Sequence, residues 1–254
     1  MRMLHFRSYV ICTSPRSGST LLCGLLAETG MAGRPDSHFH EPSLDRWLEC
    51  HGLSDRRFTS DEDARRAVFA SIRDKGDGGT GVFGLRLQQG SRDYFLEQVD
   101  RLYPGRSNDV ERIEAAFGPT LFIYLKRTDR LAQAVSRVMA EQTGLWHRNA
   151  DGSELERLAP PREPSYERKS IERHMTALAA MDADWERWFA REHPAPLRVD
   201  YEDLARAPQA TLARLLEALG LDPIHASRVQ PPTAKLAGAE SGEWIERFTR
   251  EMAT

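Results

Sequence analysis

Residues 9–31 read YVICTSPRSGSTLLCGLLAETGM, and the succession of residue types in this stretch decides the fold class. Tyr9, Val10 and Ile11 form a short apolar, β-branched run of the kind that makes a buried strand. Residues 14–20 (SPRSGST) replace that pattern with turn chemistry. From Ser19 onward an apolar stripe of Leu21, Leu22, Leu25 and Leu26 recurs at helical spacing, and Thr29–Gly30 supplies a stop. Strand, small-residue loop and helix in this order gather unpaired backbone N–H groups at one point, where the helix dipole adds positive potential. Arg16 adds a full charge, and the hydroxyls of Ser17, Ser19 and Thr20 add donors. A phosphate site is therefore preferred over an ordinary polar turn. The loop is not a Walker A motif, which needs an earlier Gly and a Lys before its final Ser or Thr.

Working outward, 254 residues of which 40% are hydrophobic suffice for one core, and a single α/β domain over residues 1–254 with a central parallel sheet flanked by helices is expected. Thirty-five basic side chains against 38 acidic ones give a net charge of −3, which argues against a nucleic acid or an anionic membrane as partner. Cys12, Cys23 and Cys50 show no C-x-x-C spacing, so neither a disulfide scaffold nor a zinc site is expected, and a reducing compartment fits. The first 12 residues, MRMLHFRSYVIC, contain no apolar run long enough for a signal peptide or a membrane span. The expectation is a cytoplasmic protein.

The loop 33–43 (GRPDSHFHEPS) concentrates His38, His40 and Glu41 one helix beyond the phosphate loop. It reads equally as a solvated connector and as an acceptor-binding segment. Helices are predicted over 44–51 and 61–75, then a strand over 81–87. Arg86 near the end of that strand reads as a surface charge before it reads as an anion ligand. Two more helices are predicted over 94–103 and 110–117. Residues 120–126 (TLFIYLK) form the clearest strand, and a helix over 131–142 follows. Lys126 and Arg127, where that strand emerges, and Ser136 one helix later make a second anion site at the carboxyl edge of the sheet. Residues 144–166 read as an irregular polar loop in which Trp146, His147 and Arg148 suit either a sugar-binding wall or a dimer contact. A long helix over 167–193, a strand over 196–201, a helix over 208–219 and a final helix from 243 complete the pattern.

Four stretches resemble the bacterial trehalose 2-sulfotransferase family, whose members take a sulfuryl group from 3′-phosphoadenosine 5′-phosphosulfate (PAPS). They are PRSGSTLL (15–22), FIYLKRTDRLAQAVS (122–136), VDYEDL (199–204) and KLAGAESGEWIERF (235–248). The resemblance implies a P-loop-like sulfotransferase fold. It implies that Arg16, Ser17, Gly18, Ser19 and Thr20 cradle the 5′-phosphosulfate and that Arg127 and Ser136 hold the 3′-phosphate. It further implies that the segment carrying Lys235 closes over the nucleotide. A carbohydrate or glycolipid acceptor, a homodimer and no metal also follow from it. The chain departs from the family at Ser37, where an ungapped reading has the family's Glu, the base thought to act on the acceptor hydroxyl. His38, His40 and Glu41 are the candidate substitutes, since imidazole and carboxylate both accept protons near neutral pH. Arg16 would stabilise the charge that develops on the leaving group. Two rival readings are a P-loop-like nucleotide or sugar kinase, which lacks its Lys here, and a non-catalytic protein that binds PAPS or adenosine 3′,5′-bisphosphate.

Overall fold

The structure, a computed structural model, describes residues 6–234 and 238–253. Strand β1 (Ser8–Thr13) runs into helix α1 (Ser19–Glu28), as the residue pattern of 9–31 predicts. Helices α2 (Leu44–Cys50) and α3 (Asp61–Asp77) lead to β2 (Phe83–Gln88). Helices α4 (Gln89–Leu102) and α5 (Asp109–Phe117) lead to β3 (Thr120–Lys126). After α6 (Arg130–Thr143) come the short strands β4 (Leu145–Arg148) and β5 (Glu154–Arg157). The long helix α7 (Arg168–Glu192), β6 (Leu197–Asp200), α8 (Tyr201–Arg206), α9 (Pro208–Ala218) and α10 (Ala239–Met252) complete the order.

The central sheet has the order β2-β1-β3-β6 and every pairing in it is parallel. The chain first steps from β1 to β2 on one side, then crosses to β3 on the other. This reversal opens a crevice beyond the carboxyl ends of β1 and β3, the usual place for a ligand in an open α/β sheet. Residues of β1 alternate between the two faces. Val10 and Cys12 pack with Phe83, Leu85, Leu87, Phe122 and Tyr124 under α3, α4, α5 and α7. Tyr9 and Ile11 pack with Leu121, Ile123, Leu125 and Val199 under α1 and α9. A third cluster joins α6, α7 and α10 through Val135, Val138, Ile171, Leu178, Trp244 and Phe248. The stripe along α7 is core packing, as its spacing predicts: Trp185 and Trp188 are buried beneath the sheet.

Two expectations change. Residues 144–166 are not wholly irregular, because β4 and β5 pair as an antiparallel hairpin whose register shifts between Leu145 and Arg148. Strands of four residues with mixed polarity leave no alternating signal long enough to read. Helix α10 begins at Ala239 rather than 243, its polar first turn hiding the start. Lys235 lies outside the described residues. None of the described helices is long and apolar enough to cross a membrane.

Candidate active site

The loop after β1 turns sharply because positive φ angles on either side of Ser17 shape it, Arg16 at φ 63° and Gly18 at φ 84°. Only Gly fits at position 18. A Cβ there would lie 2.4 Å from Cδ2 of Tyr201. Among the described residues, no carbonyl accepts from the amides of Ser17, Gly18, Ser19 and Thr20. The first turn of α1 thus offers a set of unpaired donors in the positive end of its dipole.

The three hydroxyls of the loop do not act alike. Thr13 Oγ1 donates to Leu125 O at 2.9 Å, so its short contact with the buried Ser17 hydroxyl has Ser17 as donor. Ser17 therefore braces the loop against β1 and contributes its amide, not its hydroxyl, to the crevice. Thr20 Oγ1 accepts from Arg86 Nη1 at 2.8 Å and also lies 3.0 Å from His147 Nε2. The entry to the loop is pinned from behind. Gln133 Nε2 donates to Pro15 O at 2.7 Å, Ser14 Oγ donates to Asp182 Oδ1 at 2.9 Å, and Arg130 ion-pairs with the other Asp182 oxygen.

The two predicted anion sites come together. Arg16 Nε donates to Ser136 Oγ at 3.0 Å, and Arg16 Nη1 donates to Trp146 O at 2.6 Å. The Arg127 guanidinium sits 4.6 Å from the centroid of the Tyr201 ring, the same ring that backs Gly18. Its Nε is buried with no hydrogen-bond partner among the described residues. Burial and the neighbouring Arg127 charge pull the Arg16 guanidinium down to about 10. It stays protonated at neutral pH, and an anion placed between the two arginines would relieve both costs. Glu202 accepts from the amides of Thr128 and Asp129 at 3.0–3.2 Å and so fixes the turn that carries Arg127 into α6. Beside Ser136 a cavity of about 340 Å³ opens, lined in part by Arg148, Arg157 and Arg162.

Arg86 corrects its sequence reading. It is not a surface charge: its side chain is only 16% exposed. Strand alternation puts it on the α1 face of β2, with Gly84, and residues 36–37 run beside β2 through a bridge from Asp36 to Leu85. Its planar fork reaches three side chains at once: Thr20, Ser37 Oγ at 2.7 Å and Asp36 Oδ1 at 2.9 Å. Its position at the carboxyl end of a parallel strand was the available signal.

The remaining candidates sit elsewhere. His38 is stacked near Phe83, its Nε2 3.1 Å from Arg34 O, and burial lowers its basicity. Glu41 is paired with Arg46 at 2.7 Å, and hydrogen bonding to that guanidinium holds its carboxyl below the ordinary range. His40 is exposed, and its amide donates to Ser37 O at 2.9 Å. Among the described residues, no hydrogen bond or ion pair joins any of the three side chains to residues 15–20. Sequence reading left open what Trp146 and His147 do; both now stand against that loop, brought there by the β4–β5 hairpin.

Comparison with known proteins agrees with this geometry. Residues 8–251 match the family described as Stf0 sulphotransferase. The chain is 30% identical over 267 aligned positions to the trehalose 2-sulfotransferase of Mycolicibacterium smegmatis, covering 97% of this chain and 96% of that one. It is also 30% identical to the trehalose 2-sulfotransferase of Mycobacterium tuberculosis, covering 96% and 95% of the two chains. A solved sulfotransferase from Alicyclobacillus acidocaldarius superposes with a TM-score of 0.40 at 16% identity, covering 96% of this chain and 92% of its own, a likeness too distant to carry any inference. With a turn of unpaired amides after β1, a cation after β3 and a family match over nearly its whole length, the chain belongs to the Stf0 sulphotransferase family.

Proposed function

We propose that this sulfotransferase takes its sulfuryl group from PAPS and delivers it to a hydroxyl of a carbohydrate or glycolipid acceptor. The observation that carries the donor assignment is the neighbourhood of Arg16 and Arg127: the charge of Arg127 lowers the Arg16 guanidinium, and Arg127 Nε is buried with no hydrogen-bond partner among the described residues. The residues present fit a donor with two anionic groups. Arg16 and the amides of Ser17, Gly18, Ser19 and Thr20 would hold the 5′-phosphosulfate, and Arg127 with Ser136 would hold the 3′-phosphate. Because Ser136 Oγ accepts from Arg16, its own hydrogen is free for a phosphate oxygen.

When bound, PAPS supplies a sulfuryl group whose leaving group is a phosphate. Negative charge grows on the bridging oxygen during transfer, and Arg16 together with the loop amides is fixed in place to stabilise it. Catalysis of this kind rests on positioning and electrostatics. The acceptor class follows the two named relatives. A homodimer is part of the proposal, with its contact on the β4–β5 hairpin, where Leu155 and Leu158 are exposed.

The test is a thermal-shift titration with adenosine 3′,5′-bisphosphate beside magnesium-ATP, on the wild type and Arg127→Ala. A ligand that binds only the folded chain raises its melting temperature. Stabilisation by the bisphosphate, lost in Arg127→Ala, is the expected result. Stabilisation by magnesium-ATP alone would overturn the donor assignment in favour of a kinase.

A further inference from the structure

The groups around Thr20 include one side chain with the chemistry of a base and direct access to the phosphate loop. His147 Nε2 lies 3.0 Å from Thr20 Oγ1. That hydroxyl already accepts from Arg86, which has no acceptor to offer in return, so the Thr20 hydrogen is free to be donated. In the tautomer with the ring proton on Nδ1, that hydrogen goes to Nε2, whose lone pair then faces the loop. We propose that His147 is the general base of the transfer, taking the proton of the acceptor hydroxyl on Nε2. The inference rests on the PAPS assignment above and goes beyond it by naming a side chain that hydrogen-bonds the loop itself, as His38, His40 and Glu41 do not among the described residues.

The step balances without another reactant. A lone pair of the acceptor oxygen forms the new O–S bond as the S–O bond to the 5′-phosphate breaks. The electron pair of that bond leaves with the phosphate, and the hydroxyl proton passes to Nε2. Two neighbours of Thr20 are weaker candidates. Ser37 has no proton-accepting group of its own in this range. Asp36 Oδ1 accepts from both Arg86 and the Ser37 amide, at 2.9 and 2.7 Å, and is occupied by those donors.

The charges facing the imidazole are Arg16 from the loop, Arg86 from β2 and Glu156 from β5, the last 3.5 Å from Nε2. Burial and the two guanidiniums pull His147 down to about 4. In the free chain it is neutral and a weak base. Donor binding places anionic groups on Arg16 and cancels part of the charge that suppresses it. His147 thus becomes basic when the donor is in place, which couples proton removal to donor occupancy.

The test uses the full chain with isotope-labelled histidine, the His147 signal being assigned with His147→Gln. A ring titration midpoint at about 4 without ligand, rising to about 5 or above with adenosine 3′,5′-bisphosphate, is the expected result. In turnover with labelled PAPS and trehalose as the acceptor probe, His147→Gln should lower kcat by about 100-fold or more and remove the acid limb of the kcat/KM profile. Thermal stabilisation by the bisphosphate should be retained in that variant. A chain that binds the bisphosphate while its His147 midpoint stays unmoved overturns the proposal, as does full turnover in His147→Gln. Failure of the bisphosphate to bind would instead remove the PAPS assignment and this inference with it.

Discussion

Arg16 Nε donates to Ser136 Oγ at 3.0 Å across 120 residues of chain, closing the loop after β1 onto the middle of α6. This contact ties the turn that carries Arg16 to the helix that follows Arg127. It also makes the geometry of each stretch depend on the other. Several consequences can be measured.

Gly18→Ala should destabilise the chain and weaken bisphosphate binding. Alanine at φ 84° costs roughly 1 kcal/mol or more, and its Cβ would collide with the Tyr201 ring. Adding Tyr201→Ala should relieve the collision but not the backbone cost, so the double variant should recover part of the stability. Chemical denaturation of the wild type and the two variants checks this. Full recovery would show that backbone conformation matters little here.

Arg86→Met should cost about 1–3 kcal/mol, since Asp36, Ser37 and Thr20 lose a shared donor at a site only partly open to water. It should also raise the titration midpoint of His147, because one of the two cations that depress it is gone. Arg86→Lys should restore the charge effect but not the three-way fork. Histidine NMR on both variants separates the two roles.

His147 also predicts an acid-sensitive fold. Its folded-state value of about 4 lies below the ordinary 6.5, so the unfolded chain binds more protons between these values. Stability from this group is complete above pH 6.5 and is lost as pH falls toward 4. The loss is at most about 3 kcal/mol by the usual conversion, and less to the extent that the ring is reached by water. Urea unfolding at pH 7 and pH 5 should show a smaller pH dependence in His147→Gln than in the wild type.

Asp182→Asn tests the support behind the loop. Asp182 accepts from Ser14 and pairs with Arg130, and the side chains of Asp182 and Arg130 are largely covered. Removing the charge should cost about 2–3 kcal/mol and lower the melting temperature by roughly 4–12 °C. Bisphosphate affinity should fall as well, because Pro15 and Arg16 follow directly on Ser14. A variant with normal stability and affinity would show that Gln133 alone fixes the loop.

By itself the sequence determined the parallel sheet, most helices and the small-residue turn between β1 and α1. These are local signals. An apolar run sets a strand, helical spacing sets a helix, and a small-residue turn between them leaves amides unpaired, all within a few residues of one another. The tertiary structure alone decided which side chains meet across the crevice. Arg86 looked like a surface charge until strand alternation turned it toward α1. Ser17 looked like a ligand hydroxyl until it was seen donating to Thr13. His147 lay in a stretch with no readable period, and only the β4–β5 hairpin carried it to Thr20. Contacts between residues distant in sequence depend on sheet order and strand facing, and neither is written in the spacing of the residues that make them.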